Sequence, residues 1–158
     1  MKRREELHPL SEHHHHVLVE CLDIRRAAES AASDRDERLR QLAESVLRFW
    51  NEGGSTHFQE EEQVLLPTYA RHFRLDEDPE IMRMLADHAE IRSRIEDLKD
   101  SLDHNRFDPA RLIELGGMLH DHVRLEEDHI FPRIEAALNQ AEMTFVGSHL
   151  SHLYKDEP

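Results

Sequence analysis

The sequence predicts an all-α protein: an antiparallel up-down-up-down four-helix bundle with a short extra C-terminal helix, residues 1–158 forming one domain. Three observations predict it. Gly and Pro number only 5 and 6, β-branched residues are scarce, and Leu, Glu, Arg and Ala dominate, a composition that favours helix throughout. Apolar residues recur at helical spacing in four long stretches. The connections between them are short, so consecutive helices should reverse and pack as neighbours.

The first helix is expected over 10–32, with Leu10, Val17, Leu18, Cys21, Leu22, Ile24 and Ala28 on one face. After a polar break at Ser33-Asp34, the second spans roughly 35–73, and Gly53-Gly54-Ser55 inside it should kink it or split it in two. Asp76-Glu-Asp-Pro79 supplies a cap and an early proline for the third helix, 79–104, and Phe107-Asp108-Pro109 does the same for the fourth, 109–138. A shorter segment over 141–153 should pack across one end. Pro67 and Pro132 fall inside helical patterns, where each removes a backbone hydrogen bond and should bend its helix.

Two distant segments repeat one pattern. His57-Phe-Gln-Glu-Glu61-Glu62-Gln-Val-Leu-Leu-Pro67 and His122-Val-Arg-Leu-Glu126-Glu127-Asp-His-Ile-Phe-Pro132 both read His, three residues, Glu-Glu, two residues, two apolars, Pro. On a helix His and Glu at i and i+4 share a face, so each pair can hold a metal ion or hold one and reach another. Written twice, the pattern suggests two ions. A bland alternative is a solvated His–Glu contact worth a few tenths of a kcal/mol, which predicts polar surroundings. Instead Leu119, Val123 and Ile130 border His122 and Glu126, while Phe58, Leu65 and Leu66 surround His57 and Glu61. Buried carboxylates and imidazoles need a partner, and a cation provides one. Glu62 and Glu127 are read as rim groups or groups behind the ligands.

Histidine is unusually abundant, at 14 residues. The run His13-His14-His15-His16 cannot share a face, because successive helical residues turn by about 100°. His14, at i+4 from Leu10 and i−3 from Val17, points inward, His13 and His15 flank it, and His16 points away. On the third helix His88 lies in register with Met84 or Leu85, Ile91, Ile95 and Leu98. A lone core histidine is usually an ordinary hydrogen-bonded residue. Beside two inward His-x-x-x-Glu pairs, His88 becomes a candidate ligand. His72, His120, His149 and His152 are read as surface or packing residues, and Tyr69 has no assigned role.

The candidate metal set is therefore His14, His57, Glu61, His88, His122 and Glu126. Four imidazoles and two carboxylates, the latter bridging, offer eight bonds to two ions, leaving open positions for water or a small diatomic ligand. Nitrogen and oxygen donors without thiolate favour iron, with Mn or Zn possible. A formal charge of -14 argues against nucleic acid or an anionic membrane as partner. No apolar run reaches spanning length, the first residues Met-Lys-Arg-Arg-Glu-Glu lack a secretion-signal segment, and the lone Cys21 forms no internal disulfide; together these point to the cytoplasm.

These phrases resemble the hemerythrin-like, or HHE cation-binding, family over nearly the whole chain: Ser11-Glu-His-His14, the two His-x-x-x-Glu-Glu repeats with their prolines, and Asp87-His88-Ala-Glu-Ile91-Arg92. The resemblance implies a four-helix bundle with a non-haem di-iron centre, oxo- or hydroxo- and carboxylate-bridged, that binds O2 or nitric oxide or handles iron. Oxygen-carrying hemerythrins place a second histidine four residues after the one on the third helix; here that position is Arg92. The departure points away from reversible O2 carriage and toward iron sensing, nitric-oxide response or repair of damaged iron centres. His129, in Glu-x-x-His spacing from Glu126, is an alternative ligand. The leading reading is a binding protein, monomer or homodimer, for sensing, storage or stress response. The alternative is a di-iron enzyme that activates O2 or peroxide or repairs iron centres.

Overall fold

A computed structural model describes residues 2–150; the expected surface residue His152 and the expected helix end at Leu153 lie outside them. The described chain is helical, with no strand, and divides into four long helices and one short one. Helix α1 is His8–Glu29 and α2 covers 35–69. Helix α3 is Pro79–Asp103, α4 covers 109–137, and α5 is Gln140–His149. Helix α1 packs on α4 and α2, and α3 packs on α4, while α5 covers the short turn Glu5–Leu7 that precedes α1.

Capping explains most of the boundaries. The Asp78 carboxylate accepts the backbone N–H groups of Glu80 and Ile81 at 3.0 and 3.2 Å, which starts α3 with Pro79 in its first turn. Asp108 accepts the N–H of Ala110 at 3.0 Å for α4, and Asn139 with Glu142 forms a reciprocal capping box for α5. Asn105 closes α3 in the left-handed region at φ 53°, a conformation that Asn tolerates. Helix α1 stops at Glu29, short of the expected 32, because Ser30 turns extended and the Arg35 guanidinium takes the Ala28 carbonyl at 3.0 Å. Helix α2 ends at Tyr69 rather than 73, where the bonds tighten to Arg71 N–H→Thr68 and His72 N–H→Tyr69.

Wide turns mark the glycine and proline positions of α2 and α4. Gly53-Gly54 does not split α2: residues Trp50–Gly54 form a π-turn and the helix continues through Ser55–Glu60. Glycine is needed there because a Cβ on Gly54 would lie 2.7 Å from the Trp50 ring. The expected bends at the prolines are preceded by further π-turns, Glu61–Leu65 and Glu126–Ile130. In both, the next N–H reaches back five residues, Leu66 to Glu61 and Phe131 to Glu126. Pro67 and Pro132 come next and have no N–H to give, so each π-turn sits where the helical ladder is already interrupted.

The core has two large apolar clusters. One gathers Leu7, Leu10, Leu65, Leu66, Met84, Ile130, Phe131 and α5's Met143 and Val146; the other gathers Ile24, Leu39, Phe58, Ile91, Ile95, Leu112 and Leu115. Read along each long helix, the candidate metal residues fall between members of these clusters. Cys21 is buried with Val17 and Val123 in a small third cluster, and burial holds its thiol up at about 12.

Candidate metal centre

All six residues singled out from the sequence meet in one buried layer. His14 comes from α1, His57 and Glu61 from α2, His88 from α3, and His122 and Glu126 from α4; none is more than 3% exposed. Their donor atoms form two groups in which all atoms lie within 4.8 Å of one another: His14, His57, Glu61, Glu126, and Glu61, His88, His122, Glu126. The two carboxylates belong to both groups. Glu61 turns Oε1 to His57 Nε2 at 2.9 Å and Oε2 to His88 Nε2 at 3.2 Å. Glu126 turns Oε2 to His14 Nε2 at 2.9 Å and Oε1 to His122 Nε2 at 3.0 Å.

Several of these approaches are too poorly directed to be hydrogen bonds. Both oxygens of Glu61, Oε2 of Glu126 and both ring nitrogens of His122 have no hydrogen-bond partner although they are buried. His14 Nε2 also faces His57 Nε2 at 3.0 Å. His14 Nδ1 lies 2.6 Å from Glu127 Oε1, and a carboxylate can only accept, so the neutral ring carries its proton on Nδ1 and points a bare Nε2 lone pair at Glu126. His88 repeats this, with Nδ1 2.7 Å from Glu62 Oε1 and Nε2 aimed at Glu61. Lone pairs turned on carboxylate oxygens repel unless a proton or a metal ion stands between them. Two donors at right angles on an ion bonded at about 2.1 Å lie about 3.0 Å apart, which is the spacing seen here. The donor set thus fits divalent ions of the iron, manganese or zinc type.

Without an ion, protons take its place. Burial alone would push the His14 imidazole down, but Glu126 and Glu127 carry it up to about 9. His88, buried likewise, is carried to about 9 by Glu126 and Glu61, and His122 to about 10, chiefly by Glu126. Burial raises both carboxyls and Glu126 repels Glu61, yet the surrounding imidazoles outweigh these effects and hold Glu61 low and Glu126 well below the usual carboxylate range.

The Glu-Glu doublets acquire distinct jobs. In a π-turn each residue advances by less than the ~100° of an α-helix, so both glutamates stay near the inner face. The first enters the layer; the second reaches across to a neighbouring helix, Glu62 to His88 and Glu127 to His14. Both therefore stand behind candidate metal residues. Ser11 also donates to Glu127 at 2.7 Å, and Asp87 Oδ2 lies 3.5 Å from His122 Nδ1. Arg92, at the position where oxygen carriers have histidine, grips both oxygens of Glu62 at 2.8 and 3.1 Å. Helical spacing places Ser11 one turn before His14 and could have nominated it. Arg3, which reaches Glu127 at 2.8 Å, had no such signal.

The remaining histidines separate cleanly. His15 and His16 are exposed. His13 is buried, stacks on His57 at 4.3 Å, lies tilted against Phe49 at 4.6 Å, and is pushed down to about 2 by burial and the neighbouring imidazoles. It belongs to neither donor group. His129 is corrected: its side chain is 61% exposed, beside Glu80 at 3.4 Å, because the π-turn carries it outward. His72, His120 and His149 are exposed, as expected. Beside the layer a cavity of about 40 Å³ opens against His13, His57 and His122 and is walled by Phe49, Trp50, Phe58, Leu119 and Val123.

No helix among the described residues is long and apolar enough to cross a membrane. Comparison with curated proteins and with solved structures finds no match. The family model described as the hemerythrin HHE cation-binding domain matches residues 6–134, which takes in every residue of the buried layer. The chain belongs to the hemerythrin HHE cation-binding domain family.

Proposed function

We propose that the protein is a cytoplasmic non-haem di-iron protein that binds O2 or nitric oxide in the core of an antiparallel up-down-up-down four-helix bundle, one domain over 1–158, with a role in sensing, storage or stress response. His14 and His57 would hold one ion and His88 and His122 the other, with Glu61 and Glu126 shared between the two groups. The observation that carries this reading is the shared pair of carboxylates: both are 0% exposed, and each turns one oxygen to each histidine pair. When bound, a pair of iron ions supplies ligation and one-electron chemistry toward small diatomic molecules.

The chain's own residues set the conditions. Glu62 and Glu127 keep Nδ1–H donors on His88 and His14, leaving Nε2 free for an ion. Phe49, Trp50, Phe58 and Leu119 keep the adjoining cavity apolar, and its roughly 40 Å³ has room for a diatomic molecule. That size favours a binding role over an enzyme acting on larger molecules. Arg92 occupies a further nitrogen-ligand position of oxygen carriers, which favours sensing over carriage.

Metal analysis with visible spectroscopy tests the proposal. Two iron ions per chain are expected, with an absorption change when the reduced protein meets nitric oxide or air. A protein that keeps no iron after anaerobic reconstitution overturns it. Reversible, long-lived O2 binding would replace sensing with carriage.

A further inference from the structure

The two histidines on helices without a His-x-x-x-Glu pair are held from behind by the same four-part arrangement, its glutamates supplied by the two repeats and its arginines and rings by unmatched positions. Behind His14, Glu127 meets Nδ1 at 2.6 Å and Phe131 stacks on the ring at 5.3 Å. Arg3 then binds Glu127 Oε2 at 2.8 Å, with its guanidinium 5.2 Å from the centre of Phe131. Behind His88, Glu62 meets Nδ1 at 2.7 Å and Phe58 stacks at 3.8 Å. Arg92 grips Glu62 at 2.8 and 3.1 Å and lies 5.4 Å from Phe58. Arginine, glutamate, aromatic ring and histidine recur in the same relation. Neither arginine touches the buried layer directly.

The two arginines are mounted differently. Arg92 stands on α3 one turn beyond His88. Arg3 lies ahead of α1 and is anchored onto α4. Its guanidinium donates to the Glu127 backbone carbonyl at 2.8 Å and to Glu135, and the Arg4 N–H donates to Glu135 at 3.1 Å. The Glu127 carbonyl is the one that Pro132, five residues on, cannot satisfy in the π register. The contact is also drier: Arg3 and Glu127 are 17% and 18% exposed, against 35% and 26% for Arg92 and Glu62.

We propose that Arg3 and Arg92 are positioning residues. Each fixes, through its glutamate, the ring orientation and Nδ1–H tautomer of one histidine. The segment ahead of α1 thereby governs the ion held by His14 and His57, and Arg92 governs the ion held by His88 and His122. A planar guanidinium suits the task because it holds a carboxylate in a set orientation while stacking on an aromatic face. A carboxylate so held keeps its imidazole aimed, and loss of such support typically weakens metal binding by about 10–100-fold. The inference rests on the dinuclear reading above.

Titration of the metal-free full chain with Co(II), followed by calorimetry and by the cobalt absorption bands, tests it. Arg3→Met keeps the length and the packing over Phe131 but removes the charge. Wild type is expected to take up two ions. Arg3→Met should weaken one binding step by about 10–100-fold, change that ion's absorption bands and leave the other step unaltered. Arg92→Met should do the same to the other step, and the double variant should weaken both. Glu127→Gln, which keeps the shape but not the charge gripped by Arg3, should reproduce the Arg3→Met pattern, and Arg3→Lys, with a charge but no planar fork, should recover only a small part of the loss. If Arg3→Met weakens both steps alike or neither, or if it melts the metal-free helices, Arg3 is not a positioning residue for one ion. A wild-type chain that binds no Co(II) fails the dinuclear reading itself; a wild type with two ions and an indifferent Arg3→Met fails only the clamp.

Discussion

Along each long helix the interior changes character twice. One end is closed by Leu7, Leu10, Met84 and Phe131, the other by Ile24, Leu39, Ile95 and Leu112. Between them lie four imidazoles and two carboxylates, equally buried. The apolar ends gain from losing water at about 25 cal/mol per Å² buried, whereas the polar layer loses hydration that only matched charges or an ion can replace. The ends therefore hold the fold together, and the middle carries the candidate metal site. Stability and metal binding should separate when each region is altered alone.

The largest effect should follow from removing a shared carboxylate. Glu126→Ala deletes an oxygen from both donor groups, so bound metal should fall from two ions to none by elemental analysis, whereas His88→Ala should leave one. Full loading of Glu126→Ala would break the comparison. Next comes the apolar region. Leu115, 2% exposed, should cost about 2–5 kcal/mol on truncation to Ala in a denaturant titration while the metal count stays intact.

Ion binding and pH sharpen the contrast at a similar or smaller scale. An ion present at a hundred times its Kd should stabilise the fold by about 2.7 kcal/mol, reversed by a chelator. The sign with pH follows from the imidazoles. His14, His88 and His122 are raised from 6.5 to about 9, 9 and 10, so without metal their contribution is complete below about pH 6.5 and fades as pH climbs through 9 to 10. Glu61 and Glu126, held below 4.5, contribute above that value and lose the contribution as pH falls through their lowered values. The metal-free melting temperature should therefore drop between pH 6.5 and 10, while the increment given by added metal grows as protons leave the ligands. Parallel curves with and without metal would contradict this. The smallest effect belongs to His129→Ala, outside both regions, which should stay within about 0.5 kcal/mol of wild type with its metal content unchanged.

Much of this was legible from spacing. The inward faces of His57 and Glu61, and of His122 and Glu126, need only the i, i+4 rule, and His14 emerges from its run because the neighbouring Leu10 and Val17 fix the face. The caps at Asp78 and Asp108 announce themselves by the prolines that follow. The π-turns were not legible, because hydrophobic periodicity assumes a constant turn per residue and a single wide turn hides within it. That is why His129 looked like an alternative ligand and faces solvent instead. Arg3 was out of reach for another reason: it meets Glu127 across 124 residues, from a segment without helical phase.

The wide turns also say something about what these two helices would be if folding were their only task. A wide turn holds one residue more than an ordinary helix needs, set against a proline that an ordinary helix would reject. Excise Glu62 and Glu127, replace both prolines with alanine, and the oily ends of α2 and α4 could keep their places on a smoother rod. Such a protein would gain regularity, and His14 and His88 would lose the acceptors that aim them.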